Sequence, residues 1–338
     1  MNRITQDGGE GFAAYVPERG PQKGKRMRAV LSALGVSLLF ILLYYMSQMF
    51  AQFIYAVVLI VSDIVRATSI DGFQPTDLQV DVFGILDRVQ QNYTVVAAIY
   101  AAMLVVGYSA FIATRRKTIK GYLHTDRLRA SRVIAAIAVA LGMLGTANLL
   151  FEILTWFASR YSLADQLLQD YNSVVGNAFV SDAGVGWLIL GVCILVPIAE
   201  ELLFRGIVQG ELAKTMSPWL AVVFQAILFS AFHMQPVQSV YVFLPGLAMG
   251  LAYMASRSIL VPILMHMLFN FLGSGALAGL VGEQPALDTA LYAAQYGFIL
   301  VGALCLAWMF RTRTREPATS GVKGDAGQYG QEDREETI

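Results

Sequence analysis

Charge is scarce in this 338-residue sequence. Only 14% of it is Asp, Glu, Lys or Arg, against roughly a quarter in a soluble domain. Disordered chains and long coiled coils need far more charge than that. A water-soluble globule is excluded for a related reason: with 56% apolar residues its surface could not be wetted. Charge of one sign is also missing. The 24 basic residues balance 24 acidic ones, so no excess points to nucleic acid. Cysteine is nearly absent. Cys193 and Cys305 lie inside apolar runs, which argues against a disulfide framework. The residues before Met27 lack an apolar core and a small-residue cleavage site, so the first apolar run is expected to serve as the targeting element.

What the chain does have is long apolar runs. A transmembrane helix needs about 20 apolar residues at 1.5 Å rise each. Eight runs are legible, over 29–61, 94–113, 130–157, 185–209, 218–234, 237–255, 259–281 and 289–310. The expected fold is therefore an all-α, polytopic membrane helical bundle of about eight spans. The first run would make roughly 50 Å of helix, so it must tilt or project from the bilayer.

Loop charge sets the expected orientation. Basic residues fill the flank before the first run (Arg19, Lys23, Lys25, Arg26, Arg28) and the loop after the second (Arg115, Arg116, Lys117, Lys120, Arg127, Arg129, Arg132). Lys214, Arg257 and the group Arg311, Arg313, Arg315 continue the same alternation. The opposite loops hold Asp71, Asp77, Asp81, Asp87, Asp165, Asp170, Asp182, Glu283 and Asp288, with only Arg66, Arg88 and Arg160 against them. Both termini are then expected in the cytoplasm, with a basic segment over 1–28, a bundle over 29–314 and a disordered tail over 315–338. The loop 69–92 alternates weakly and is a candidate for a short interfacial helix.

Ionisable groups inside spans cost about 2.5–3.5 kcal/mol each on insertion scales and are functional candidates by default. They gather in the fourth, fifth and seventh runs: Glu200, Glu201 and Arg205; Phe229 and His233; His266 and Asn270. Glu201 and Arg205 stand i,i+4 on one helix face and are expected to form a structural ion pair. Glu200 points about 100° away and has no sequence-local partner, so it is the acid free for chemistry. His266 and Asn270 project together, and Phe229 is expected to limit the rotamers of His233. Such a cavity could run hydrolysis. Glu200 with His233 would activate water, and His266 with Asn270 would donate to the oxyanion. Glu200, His233 and His266 could instead ligate zinc with an open position. The residues alone leave both alternatives standing.

Plainer readings accompany these. A buried acid can simply bond a neighbouring helix, His233 beside Pro236 can be interfacial, and His266 with Asn270 can be interhelical glue. His124 reads as a solvated loop residue. Gln225, eight residues before His233, could support it on nearly the same face. Tyr44 and Tyr45 are expected in the interfacial aromatic belt, and Gly246 with Gly250 in close helix packing.

Glu200-Glu201-x-x-x-Arg205, Phe229-x-x-x-His233 and His266-x-x-x-Asn270, in this order, resemble the CPBP family of intramembrane proteases. That family includes type II CAAX prenyl endopeptidases and bacteriocin-processing or self-immunity proteins. The resemblance covers about 185–281. It implies an endopeptidase acting on a membrane-associated or lipidated peptide. Glu200 would be acid/base with His233, His266 and Asn270 the oxyanion donors, and Glu201–Arg205 structural. The resemblance leaves zinc and a metal-free glutamate mechanism both open. A non-catalytic scaffold or self-immunity protein, and a proton-coupled transporter using the same acid and imidazoles, remain the other classes.

Overall fold

The computed structural model describes residues 23–69, 81–119, 121–178 and 183–313, all within the unit Ala13–Arg313. Arg19, Asp71, Asp77, Lys120, Asp182, Arg315, most of the 1–28 segment and the 315–338 tail lie outside the described residues.

Every regular element among the described residues is helical, as an apolar sequence without strand alternation requires. The order is α1 (Lys23–Thr68), α2 (Val82–Gln91), α3 (Tyr93–Thr118), α4 (Ala130–Ala158) and α5 (Ser162–Ala178). It continues with α6 (Val185–Ala213), α7 (Pro218–Phe232), α8 (Pro236–Ser256), α9 (Leu260–Gly273), α10 (Ala276–Val281) and α11 (Pro285–Arg311). Six of these, α1, α3, α4, α6, α8 and α11, are long and apolar enough to cross a membrane. The two shorter apolar helices are α7 and α9. Each of the eight apolar runs thus contains a helix, and six meet the length of a full span. The chain has a multi-pass membrane architecture.

Contacts at one end draw the basic flanks together. Arg115 at the end of α3 and Lys214 after α6 both pair with the buried Glu211, which also accepts from Tyr122 at 2.9 Å. Arg132 near the start of α4 donates to the Met309 and Thr312 carbonyls at the end of α11. Arg257 after α8 lies 3.5 Å from Asp126. Burial raises the Tyr122 hydroxyl well above its usual range, and the Glu211 carboxylate adds to the rise.

At the other end, α2 occupies the 69–92 loop. Asp81 caps it by accepting from Gly84 N–H at 3.0 Å. It buries Ile85 and Val89 and turns Val82, Phe83 and Leu86 outward, the pattern of a helix lying in an interface. Arg88 pairs with Asp63 of α1, and that bond raises the Arg88 pKa above its ordinary value.

Small residues set the helix spacing. A Cβ on Gly142 or Gly145 of α4 would stand 2.5 Å from the Phe298 carbonyl oxygen or 2.2 Å from that of Gln295, so α4 and α11 touch backbone to backbone. Gly246 and Gly250 of α8 likewise make room for Phe229 and Gln225, the close packing their spacing led one to expect. Gly107, by contrast, faces open space. Gly145→Ala should therefore destabilise the detergent-solubilised protein by about 1–3 kcal/mol, seen as a lowered unfolding temperature. Gly107→Ala should leave that temperature unchanged or raise it slightly.

Candidate active site

The site is built on α6, whose hydrogen-bond ladder is irregular. Pro197 carries no N–H and its ring crowds the carbonyl four residues back. The ladder slips to the wider π register over Leu188–Leu195, where Val196 N–H reaches the Gly191 carbonyl five residues back. In that register the Val192 carbonyl would receive its bond from residue 197, which is the proline. Asn270 of α9 takes the place, donating Nδ2–H to Val192 O at 2.9 Å. A short α segment, Val196–Glu201, follows and carries both glutamates, and a second π segment spans Leu202–Val208.

Glu201 and Arg205 are fully buried and paired at 2.8 Å, as their spacing predicts. The pair does more than neutralise itself. Glu201 Oε1 also accepts from His266 Nδ1 at 2.8 Å. Arg205 donates through Nη2 to the Gly246 carbonyl at 2.8 Å and lies over the Phe229 ring, 4.9 Å from its centroid. This polar cluster ties α6, α8 and α9 together.

Glu200 is buried too, at 6% exposure. Its Oε2 stands 3.8 Å from His266 Nε2, beyond a direct hydrogen bond. Its Oε1 accepts from the Tyr44 hydroxyl at 3.1 Å. Tyr44 is therefore not a belt residue. It is buried against Tyr100 and Phe232, and local spacing carries no sign of this because its hydrogen-bond partners Tyr100 and Glu200 lie 56 and 156 positions away.

His233 sits at the C-terminal end of α7, its Nδ1 on the Phe229 carbonyl at 2.8 Å. Met234 follows with φ 55, a left-handed turn that starts the connection to α8. Phe229 lies edge-on to both imidazoles, with centroids 5.0 Å from His233 and 5.9 Å from His266. No direct bond joins His233 to Glu200 among the described contacts; the imidazole beside Glu200 is His266. In both histidines Nδ1 is engaged by an oxygen acceptor, which leaves Nε2 for chemistry. Gln225 is fully buried but faces Gly250 and lies near Gln209 rather than touching His233.

Among the described residues, no three His, Cys, Asp or Glu side chains converge as a metal ion requires. The Nδ1 contacts of His266 with Glu201 and of His233 with the Phe229 carbonyl turn Nε2 of each ring outward, an orientation that a metal-ligating histidine shares.

Residues 182–272 match the family model described as type II CAAX prenyl endopeptidase Rce1-like, and all seven motif residues fall inside that segment. The match supports a protease. No curated protein and no solved structure gives a significant match.

The network makes a stability prediction. Glu201→Ala leaves a buried guanidinium without its carboxylate and should cost about 3–5 kcal/mol. The double variant Glu201→Gln/Arg205→Met should recover most of that loss in the same thermal unfolding measurement.

Proposed function

We propose that the protein is an intramembrane endopeptidase that hydrolyses a peptide bond in a membrane-embedded or lipidated peptide. The observation that carries this reading is the meeting of Glu200, Glu201 and His266 from two helices inside an apolar bundle, within the segment that matches a prenyl endopeptidase family. Buried ionisable groups are costly, and a set that shares hydrogen bonds around one unbonded pair is arranged for chemistry.

In this reading Glu200 is the base. A water beside the 3.8 Å gap between Glu200 and His266 reaches both side chains. Glu200 takes its proton as the oxygen attacks the scissile carbonyl, and returns that proton to the leaving amine. Glu201 holds the His266 ring in place, the role a carboxylate plays behind a catalytic imidazole. His266 Nε2 and the second amide N–H of Asn270, the one not on Val192, are the donors for the oxyanion. His233 lies across the Phe229 ring as the further polarising group. The mechanism in this reading is of the glutamate type. The basic flanks favour cytoplasmic termini in a cell membrane, with the cavity open to the cytoplasm. The substrate is a lipidated chain end of the CAAX kind that the matched family's name describes.

The test uses purified full-length protein in liposomes and an internally quenched peptide ending in a farnesylated CAAX sequence. Glu200→Gln should lower kcat at least roughly a hundredfold while leaving the unfolding temperature unchanged. Wild-type turnover by that variant would remove Glu200 as the base. Absence of cleavage by the wild type, on farnesylated and unmodified peptides alike, would count against the protease reading.

A further inference from the structure

Three tyrosines outside the family-matched segment lead away from Glu200 in single file. Tyr44 of α1 lies 3.1 Å from Glu200 Oε1 and 3.2 Å from the Tyr100 hydroxyl of α3. Tyr100 lies 3.2 Å from the hydroxyl of Tyr93, the first residue of α3. Tyr44 and Tyr100 are buried, and Tyr93 is half-buried next to the amphipathic α2. The groups around Glu200 are thus Tyr44 on one side, His266 on the other and Glu201 with Arg205 behind.

Each phenol carries one proton and can accept another. Tyr44 has two acceptors within reach and can donate to only one of them at a time. When Glu200 is a carboxylate, Tyr44 donates to it, Tyr100 donates to Tyr44, and Tyr93 donates to Tyr100. When Glu200 holds the proton taken from water at Oε2, a half-turn of the carboxyl brings that O–H round to Tyr44, to which it donates, and the reverse half-turn returns it to the reacting side. The Tyr44 proton then turns to Tyr100, the Tyr100 proton turns to Tyr93, and the half-buried Tyr93 swings its own O–H away from the file toward the exposed side. Every tyrosine keeps one proton throughout, and the only net change is the proton gained by Glu200. A buried acid that cycles between two charge states needs a partner that satisfies both, because an unmet polar atom in this setting is costly.

Resting on the assignment of Glu200 as base, we propose that Tyr44, Tyr100 and Tyr93 are positioning residues that reverse their hydrogen bonds together and so hold Glu200 in both of its protonation states. They reach no substrate; they act through the acid. The first and second spans, which the family match does not include, are then part of the working site.

Two readouts separate this proposal from the protease reading. In the cleavage assay Tyr44→Phe should lower kcat about tenfold, equivalent to one hydrogen bond, with KM within about twofold. Tyr100→Phe should lower kcat about threefold, and the double variant should be no slower than Tyr44→Phe, since the hydroxyls act as one unit. Independently of any substrate, infrared difference spectra between alkaline and acidic buffer should show a carboxyl band that is lost in Glu200→Gln. That band should move in Tyr44→Phe and, by a smaller step, in Tyr100→Phe. A band at its wild-type position in Tyr44→Phe overturns the proposal, as does strict additivity of the two losses in kcat. If the wild type cleaves nothing, yet the band moves as stated, the tyrosine file stands and the protease reading falls.

Discussion

One carboxylate oxygen organises the core of this bundle. Glu201 Oε1 receives both the Arg205 guanidinium and the His266 imidazole, in a place with no exposure to solvent. Burying two charges costs several kcal/mol per ion, and the pair is tolerated only where geometry and further hydrogen bonds offset that cost. Here the Gly246 carbonyl accepts from one amino group of the guanidinium and the Phe229 ring covers its face, while Arg205 Nε and Glu201 Oε2 make no hydrogen bond among the described residues. The ring can lie there because residue 246 has no side chain. Packing, charge neutralisation and the orientation of the imidazole are therefore one arrangement. None of the three can be altered without moving the others.

The backbone of α6 gives that arrangement its frame. A regular helix would bond the Val192 carbonyl internally and leave α9 no attachment to the main chain of its neighbour. Pro197 breaks the ladder, the register widens, and the amide of Asn270 fills the vacated position. His266 and Asn270 stand one turn apart on α9. Each bonds α6, one through the Glu201 side chain and the other through the main chain. Two attachments on the same face fix both the rotation and the height of α9. The short lengths of α7 and α9 fit this picture, since helices that bear imidazoles inside a bundle need not reach both surfaces.

Local features of this design could be read from the sequence. The i,i+4 rule foretold the Glu201–Arg205 pair, and the apolar runs foretold the helices, because both depend on neighbours along the chain. Phe229 was legible as a partner of His233 for the same reason, but its contact with His266 was not. The sequence reading pairs Glu200 with His233 of the fifth run, whereas the structure puts the histidine of the seventh beside it. Helical periodicity gives the face of a residue and says nothing of which helix that face meets. The role of Tyr44 was hidden by the same limit. A tyrosine in a long apolar run reads as an interfacial anchor unless the acid it will meet is known.

The length of α1 carries a consequence of its own. Its 46 residues measure about 69 Å, more than twice a hydrocarbon thickness of about 30 Å, and most of its surface is left uncovered by the other helices. Helices that overshoot the membrane settle by leaning, at an angle that follows lipid thickness. Tyr44 lies near the middle of this helix, so a change in lean shifts its hydroxyl past an acid anchored on a different element. Lipid composition thereby gains mechanical access to a buried acid carried by another helix.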